Sequence, residues 1–298
     1  MLRKDEMERK RQIVRDNWAE NKNKNLPITS LAEECKVTPE TYRKYLREVG
    51  INPIGRIFTY QCDRSFFHKI DTEEKAYWLG FLYADGNVFI NEGWSYIMSL
   101  TLSKVDTEHV LKFKNALKCD IPHYFKETPN PANQKEHMPM VRLDISSKEL
   151  CNDLISQGCT PQKSLTKQFP KKVPHNLLRH FFRGYIDGNG CITSTEKTKL
   201  ELSISSCYSF LESFIKYIKN EIGIDIPAPS KFKAKNGMEW GVLSKTGNRA
   251  FQIIKFFYQD SKVYLNRKHA KWEYVRLKFG ENGGNLAIRK ARKHRGGA

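Results

Sequence analysis

The chain has 298 residues, enough for two domains or one large domain with an appendage, and its 51 Lys+Arg against 33 Asp+Glu leave a formal net charge of +18. Such an excess points to a polyanionic partner, whose condensed counterions are released on binding; no apolar run nears the ~20 residues of a spanning helix and no signal peptide is visible, so nucleic acid is expected rather than a membrane, and a soluble chain. Seven cysteines, an odd number with no CxxC pair, exclude a disulfide framework and a zinc ribbon and fit reduced thiols in a cytoplasmic, intracellular compartment.

Residues 1–25 are strongly charged, with Met7, Val14 and Trp18 at helical spacing before an NKNKN run, which predicts a helix and a turn. The segment 28–51, ITSLAEECKVTPETYRKYLREVGI, divides into two short helices. Ser30 with Glu33 reads as a capping box for the first, and Thr38 with Pro39 as the N-cap and N1 residues of the second. Leu31, Cys35, Val37, Tyr42 and Leu46 form the expected shared core, while Thr41, Arg43, Lys44 and Arg47 occupy the open face of the second helix. This pattern resembles a helix-turn-helix whose second helix enters the major groove, so residues 1–50 are expected to be a small all-α DNA-binding segment. Residues 51–71, with Pro53, Gly55 and little periodicity, read as a linker.

Beyond the linker, helical and alternating patterns succeed one another. Residues 72–84 are predicted helical, a short strand follows Gly86, and 94–103 alternate, with Tyr96, Met98, Leu100 and Leu102 on one face and Ser99 and Thr101 on the other. Residues 105–118 return to helical spacing, 121–127 and 138–145 read as a strand pair, and 147–157 as a helix. The same order then recurs. Residues 174–186 are helical, 191–195 and 199–206 are strands with Leu200, Leu202 and Ile204 inward, and 208–222 are helical. Residues 230–235 and 239–244 form a pair turned at Asn236-Gly237, and 247–258 are helical. The predicted fold class is α+β, built of two αββαββα repeats at 72–170 and 171–280, with a Gly-, Lys- and Arg-rich basic tail at 281–298.

Two stretches mark the repeat: WLGFLYADG at 78–86 and FRGYIDGNG at 182–190. Gly80 matches Gly184 and Gly86 matches Gly190, both at an offset of 104. In each, a small residue (Gly80, Gly184) stands four positions before another (Ala84, Gly188), which places both on one helical face and lets two helices approach closely. Oxygen-bearing side chains at the ends of two such helices would lie side by side, near the spacing of a divalent metal site.

At these residues the chain resembles the LAGLIDADG homing endonucleases in their single-chain form with two motifs, over roughly residues 72–274. The resemblance implies a saddle-shaped, pseudo-two-fold sheet platform over a duplex, with the last acid of each motif binding Mg2+. Carried over by position, Asp85 is the first ligand and Asn189 stands where the second is expected; Asp187, two residues earlier and about 200° around a helix, is a further candidate. Lys163 and Arg267, again 104 apart, with the adjacent Lys268, match cations close to the cleavage centre, where they would stabilise phosphorane-like charge. The groove-reading faces would carry Ser99, Thr101, Arg142, Lys199, Ser203, Lys231, Lys233 and Lys235.

The function implied is site-specific, metal-dependent hydrolysis of double-stranded DNA by a monomer, in an intron-homing setting where the host intron RNA is a second partner. A non-catalytic DNA-binding regulator or an RNA-splicing maturase on the same fold is the alternative, which the helix-turn-helix pattern and Asn189 favour. An amide in place of one acid predicts unequal cutting of the two strands, and Asn189→Asp is expected to speed the slower one. A metabolic enzyme has no support: no phosphate-binding glycine loop, zinc-ligand spacing or catalytic triad is legible.

Overall fold

The computed structural model describes residues 4–21, 26, 28–51, 60–91, 95–129, 136–163, 167–194, 200–233, 237 and 239–280. The chain divides into two compact units, residues 1–63 with 117–121, and residues 64–116 with 122–298. The expected turn around 22–25, the Pro53–Gly55 stretch and the basic tail fall outside the described residues.

The first unit holds helices α1 (Lys4–Asn21), α2 (Ile28–Glu34) and α3 (Pro39–Glu48). Val14, Ile28, Leu31, Ala32, Cys35, Tyr42, Tyr45 and Leu46 are its buried core, with Trp18, Leu26, Val37 and Ile51 packed at the edge. Each fully buried aliphatic or aromatic side chain contributes roughly 1.5–3 kcal/mol, so this cluster is what turns three short helices into one body. Thr38 caps α3 by accepting from the Thr41 amide at 3.2 Å, and Pro39 opens the helix, as the sequence predicts. Ser30 does not cap α2: the helix already runs from Ile28, so Ser30 lies within its first turn.

The second unit contains both repeats. The first comprises α4 (Glu73–Asp85), β1 (Gly86–Asn91), β2 (Ser95–Ser103), α5 (Thr107–Ala116), β3 (Tyr124–Pro129), β4 (His137–Ser146) and α6 (Lys148–Ser156). The second comprises α7 (Leu178–Asn189), β5 (Gly190–Thr193), β6 (Glu201–Cys207), α8 (Tyr208–Ile222), β7 (Ser230–Lys233), β8 (Glu239–Thr246) and α9 (Gly247–Tyr258), and is followed by α10 (Asn266–Phe279). Both sheets are antiparallel with the same order, β1-β2-β4-β3 and β5-β6-β8-β7. Even the register repeats: Gly86 pairs with Leu100 and Gly190 with Ile204, both at the 104-residue offset.

Period-two alternation sets which sheet face is covered. Met98, Leu100 and Leu102 of β2 and Leu200, Leu202 and Ile204 in and beside β6 are buried. Helix α4 buries every residue from Ala76 to Tyr83, and α7 every residue from Phe181 to Asp187, which is the signature of a helix surrounded by protein on all sides. Two expectations change here. The stretch read as linker includes Phe66, Phe67 and Ile70, all buried, because residues 64–70 pack into the second unit. Helix α7 starts at Leu178, after a 3-10 turn at His175–Leu177, and runs three residues past the predicted end at Ile186.

Candidate active site

The site is made where α4 and α7 end side by side. A Cβ placed on Gly80 would stand 1.8 Å from the carbonyl oxygen of Phe181, and one on Gly184 would stand 2.0 Å from that of Tyr77. Only hydrogen fits at either point, so backbone rests on backbone, as the Gly80/Ala84 and Gly184/Gly188 spacing predicts. Nearer the helix ends, a Cβ on Gly188 would lie 2.2 Å from the Ala84 Cβ and 3.2 Å from Oδ2 of Asp85, which puts the Asp85 carboxylate against the partner helix. Each helix passes directly into a strand through an extended glycine, Gly86 at φ −70° and Gly190 at φ −90°.

Buried lysines tie off both helix ends. Lys163 Nζ donates to the carbonyl of Gly86, and Lys268 Nζ donates to those of Gly190, Asp187 and Ile186 at 2.5, 2.6 and 2.7 Å. Cations here also answer the negative end of the helix dipole. This geometry corrects the pairing read from spacing. The counterpart of Lys163 is Lys268, 105 residues on, while Arg267 is exposed and holds the Asp106 carboxylate with Nε at 3.0 and 3.1 Å. Lys167 also belongs to the centre, and spacing does not reveal it, since the 104-residue offset maps it onto Asp63, outside the repeats. Its signal is the residue matched to Phe81: Tyr185, whose hydroxyl accepts from Lys167 Nζ at 3.0 Å.

These cations converge electrostatically on Asp85. Asp85 has open surface, yet the protein packed around it lifts its carboxyl above the ordinary carboxylate range, while Lys268, Lys163, Lys167 and Arg267, in that order, pull it back. Among the described residues the Asp85 carboxylate has no hydrogen-bond partner in the protein. Burial lowers the lysines too: Lys268 and Lys167 are pushed down to about 8, and Lys163 moves in the same direction. Lys268 and Lys167 stay largely charged at neutral pH.

The second half differs. Asn189 Nδ2 donates to the Ser205 carbonyl at 2.6 Å and to the Tyr185 hydroxyl at 3.1 Å. Ser205 O can only accept, so the network orients the amide with nitrogen toward β6. The expectation that Asn189→Asp restores a ligand is revised on this ground, because a carboxylate would set oxygen against the Ser205 oxygen. Asp187 is likewise corrected as a ligand candidate. It is fully buried and accepts from Tyr258 Oη at 2.5 Å, Tyr77 Oη at 2.7 Å and the Leu265 amide at 2.7 Å, so both carboxylate oxygens are occupied. Tyr77 also meets His109 Nε2 at 3.1 Å; with the Tyr77 proton given to Asp187, His109 must donate through Nε2, which leaves its buried Nδ1 a bare acceptor. Arg183, also inside the motif and fully buried, joins the two helices through Glu73 at 2.6 Å.

The residues expected as groove readers are placed unevenly. Ser99 is 5% exposed and accepts from Arg142, whose Nε is held on Asp144 at 2.8 and 2.9 Å, so Ser99 is inside an ion-paired cluster rather than free on the sheet. Thr101 and Ser203 are half-buried, Lys233 is exposed, and Lys231 is exposed but pairs with Glu239 at 2.6 Å. Lys199 and Lys235, and Asn236 of the predicted turn, lie outside the described residues. In the first unit, Lys44 and Arg47 are exposed and Arg43 is half-buried, whereas the Thr41 hydroxyl is engaged with that of Thr38 at 2.8 Å.

Among the described residues no three His, Cys, Asp or Glu side chains come together to hold a metal ion. The donors at the centre are one unpartnered carboxylate, Asp85, and the amide oxygen of Asn189. This set suits a hard cation such as Mg2+, which takes one or two carboxylates and completes its shell with water and substrate phosphates, and it does not make a site sufficient in itself.

Compared with protein-family models and with curated proteins, the chain matches none. Among solved structures it is similar to the I-LtrWI LAGLIDADG homing endonuclease bound to target DNA, with 13% identity over 77% of this chain and 96% of that chain and a TM-score of 0.41. It is similar to I-SmaMI bound to an uncleaved DNA target in the presence of calcium ions, with 15% identity over 74% and 96% and a TM-score of 0.41. The N-terminal LAGLIDADG domain of DUF199/WhiA is a third likeness, with 12% identity over 70% and 92% and a TM-score of 0.39.

Proposed function

We propose that this chain is a LAGLIDADG-type, Mg2+-dependent, site-specific endonuclease acting on double-stranded DNA, with one competent half-site and one altered half-site. The observation that carries the reading is the junction of α4 and α7, where Asp85, a carboxylate without a hydrogen-bond partner among the described residues, lies in the field of three buried lysines. Lys163 and Lys268 hold the two helix ends by their carbonyls, so the geometry at the centre is set before substrate arrives. Their charges would act on the negative charge that develops as a phosphodiester is attacked, and preorganised charge of this kind lowers the barrier directly. Asp85, with Asn189 beside it, would hold the metal, which supplies a water of lowered pKa and neutralises phosphate charge. The sheets and α3 offer polar and basic surface for the duplex, and α3 contributes affinity rather than cleavage, since its unit carries no candidate ligand.

The test is cleavage of a supercoiled plasmid bearing the target. The natural protein should accumulate nicked circle before linear product, and Asp85→Asn should abolish cutting while its melting temperature and DNA affinity stay close to those of the parent. Cutting by Asp85→Asn at the parental rate would sink the assignment of the centre. No cutting by the natural protein on a target it binds would favour the non-catalytic regulator or maturase, with Asn189 as the mark of an abandoned activity. Removing residues 1–50 should weaken binding and flatten its salt dependence, the slope of log K against log salt falling by ~0.9 for each phosphate no longer neutralised. Unchanged affinity and slope would remove the first unit from the interface.

A further inference from the structure

The two halves of the centre differ at three matched places and by one residue without a match. Asp85 corresponds to Asn189, Phe81 to Tyr185 and Leu102 to Ser206, all at the offset of 104, and nothing in the first repeat corresponds to Lys167. The four residues special to the second half form one network. The Tyr185 hydroxyl donates to Ser206 Oγ at 2.8 Å, and with its proton so committed its oxygen accepts from both Lys167 Nζ at 3.0 Å and Asn189 Nδ2 at 3.1 Å. Lys167 is only 4% exposed, and its ammonium lies 4.7 Å from the centroid of the Tyr185 ring and 5.9 Å from that of Phe210. Among the described residues it gives one N–H to a protein acceptor, and that acceptor is neutral.

We infer that Lys167 is the fixed cation of the second half-site, giving to a phosphate oxygen of the bound duplex the positive charge that a carboxylate-held metal ion gives beside Asp85. The inference rests on the endonuclease reading. A buried ammonium whose one hydrogen-bond acceptor among the described residues is neutral is expensive to maintain, and an aromatic face and the field of Asp85 offset only part of that cost. An anion arriving at the centre would supply the missing partner. The neutral Asn189 amide, turned with its nitrogen to Ser205, offers a divalent cation one amide oxygen and no charge, and Lys167 beside it repels a second metal ion. The half that lacks the acid is therefore the half that holds an additional lysine beyond the matched pair Lys163 and Lys268, and the centre takes one divalent cation, not two.

Lys167 acts on the substrate's charge, so the deciding readout is binding without metal. The full chain is titrated against a mixed-sequence DNA duplex in EDTA over a range of KCl, alongside Lys167→Met, Lys167→Gln and Lys167→Arg. The two neutral variants should lower the magnitude of the slope of log K against log[KCl] by ~0.9, the value of one neutralised phosphate, and the arginine variant should keep the parental slope. Gln retains a hydrogen-bonding group should the Met variant fail to fold, and a melt of each variant checks folding. Counting Mn2+ by electron paramagnetic resonance on the same complex should give one bound ion. Intact duplex binding with an unchanged slope in both neutral variants, an arginine variant that loses as much as they do, or two Mn2+ ions per complex would overturn the inference and leave the endonuclease reading standing. Absence of salt-dependent duplex binding by the parent protein would bring down both.

Discussion

In the first repeat the central helix ends on Asp85, an exposed carboxylate with no hydrogen-bond partner among the described residues; in the second it ends on Asn189, an amide bound to Ser205 and Tyr185. Two residues earlier the contrast reverses. Tyr83 gives one hydrogen bond to the Gln157 carbonyl at 2.8 Å, while Asp187 at the matching place receives three donors and joins both repeats. The same backbone thus carries its acid at the surface in one half and inside in the other. A repeat keeps its geometry because helix contact and sheet register demand it, whereas charge at a helix end is free to move between function and support.

The largest expected effect tests the geometry that the halves share. Gly80→Val and Gly184→Val should each cost more than ~4 kcal/mol, since either Cβ would enter the space of a backbone carbonyl oxygen that cannot withdraw. Urea unfolding measures this, and a loss under ~1 kcal/mol in either variant would mean that the helices are not in backbone contact.

A smaller effect should separate the halves. Asp187→Asn turns an acceptor of three bonds into a mixed group and should cost about 3 kcal/mol, against about 1–2 kcal/mol for Tyr83→Phe, which strands one carbonyl. Equal losses would remove the contrast between a shared acid and a single hydroxyl.

The smallest effect, counted per pH unit, is one of pH on the same network. Burial, the leading cause, pushes His109 down to about 3, so the folded protein keeps it neutral while the unfolded chain takes a proton below its ordinary value of 6.5. The unfolded state then binds more protons throughout that window, and stability is lost as pH falls from about 6.5 toward 3, by on the order of 1.4 kcal/mol per pH unit at most. His109→Gln should flatten that part of the stability profile; an unchanged slope would assign the acid sensitivity to other groups.

The chain order of helices and strands, the duplicated unit and the close approach of α4 and α7 are legible in the sequence. Each depends on neighbours along the chain: glycines four apart, alternating apolar residues, and a fixed offset between matched stretches. The candidate site is legible in part: Asp85 and the lysines at 163 and 268 are singled out by position, and the fold brings them to the ends of α4 and α7. What tertiary structure decides is which of those groups are free. Lys268 rather than Arg267 matches Lys163 because the whole stretch from Gly190 to Lys268 is one residue longer than that from Gly86 to Lys163, and a turn of one residue on a helix changes a buried cation into an exposed one. Asp187 is closed by Tyr77, Tyr258 and Leu265, and the Asn189 amide is oriented by Ser205, partners that lie 110, 71, 78 and 16 residues away in the chain. No local pattern reports on such partners, because burial and hydrogen bonding are set by what the fold brings together, and sequence spacing speaks only for residues on the same element.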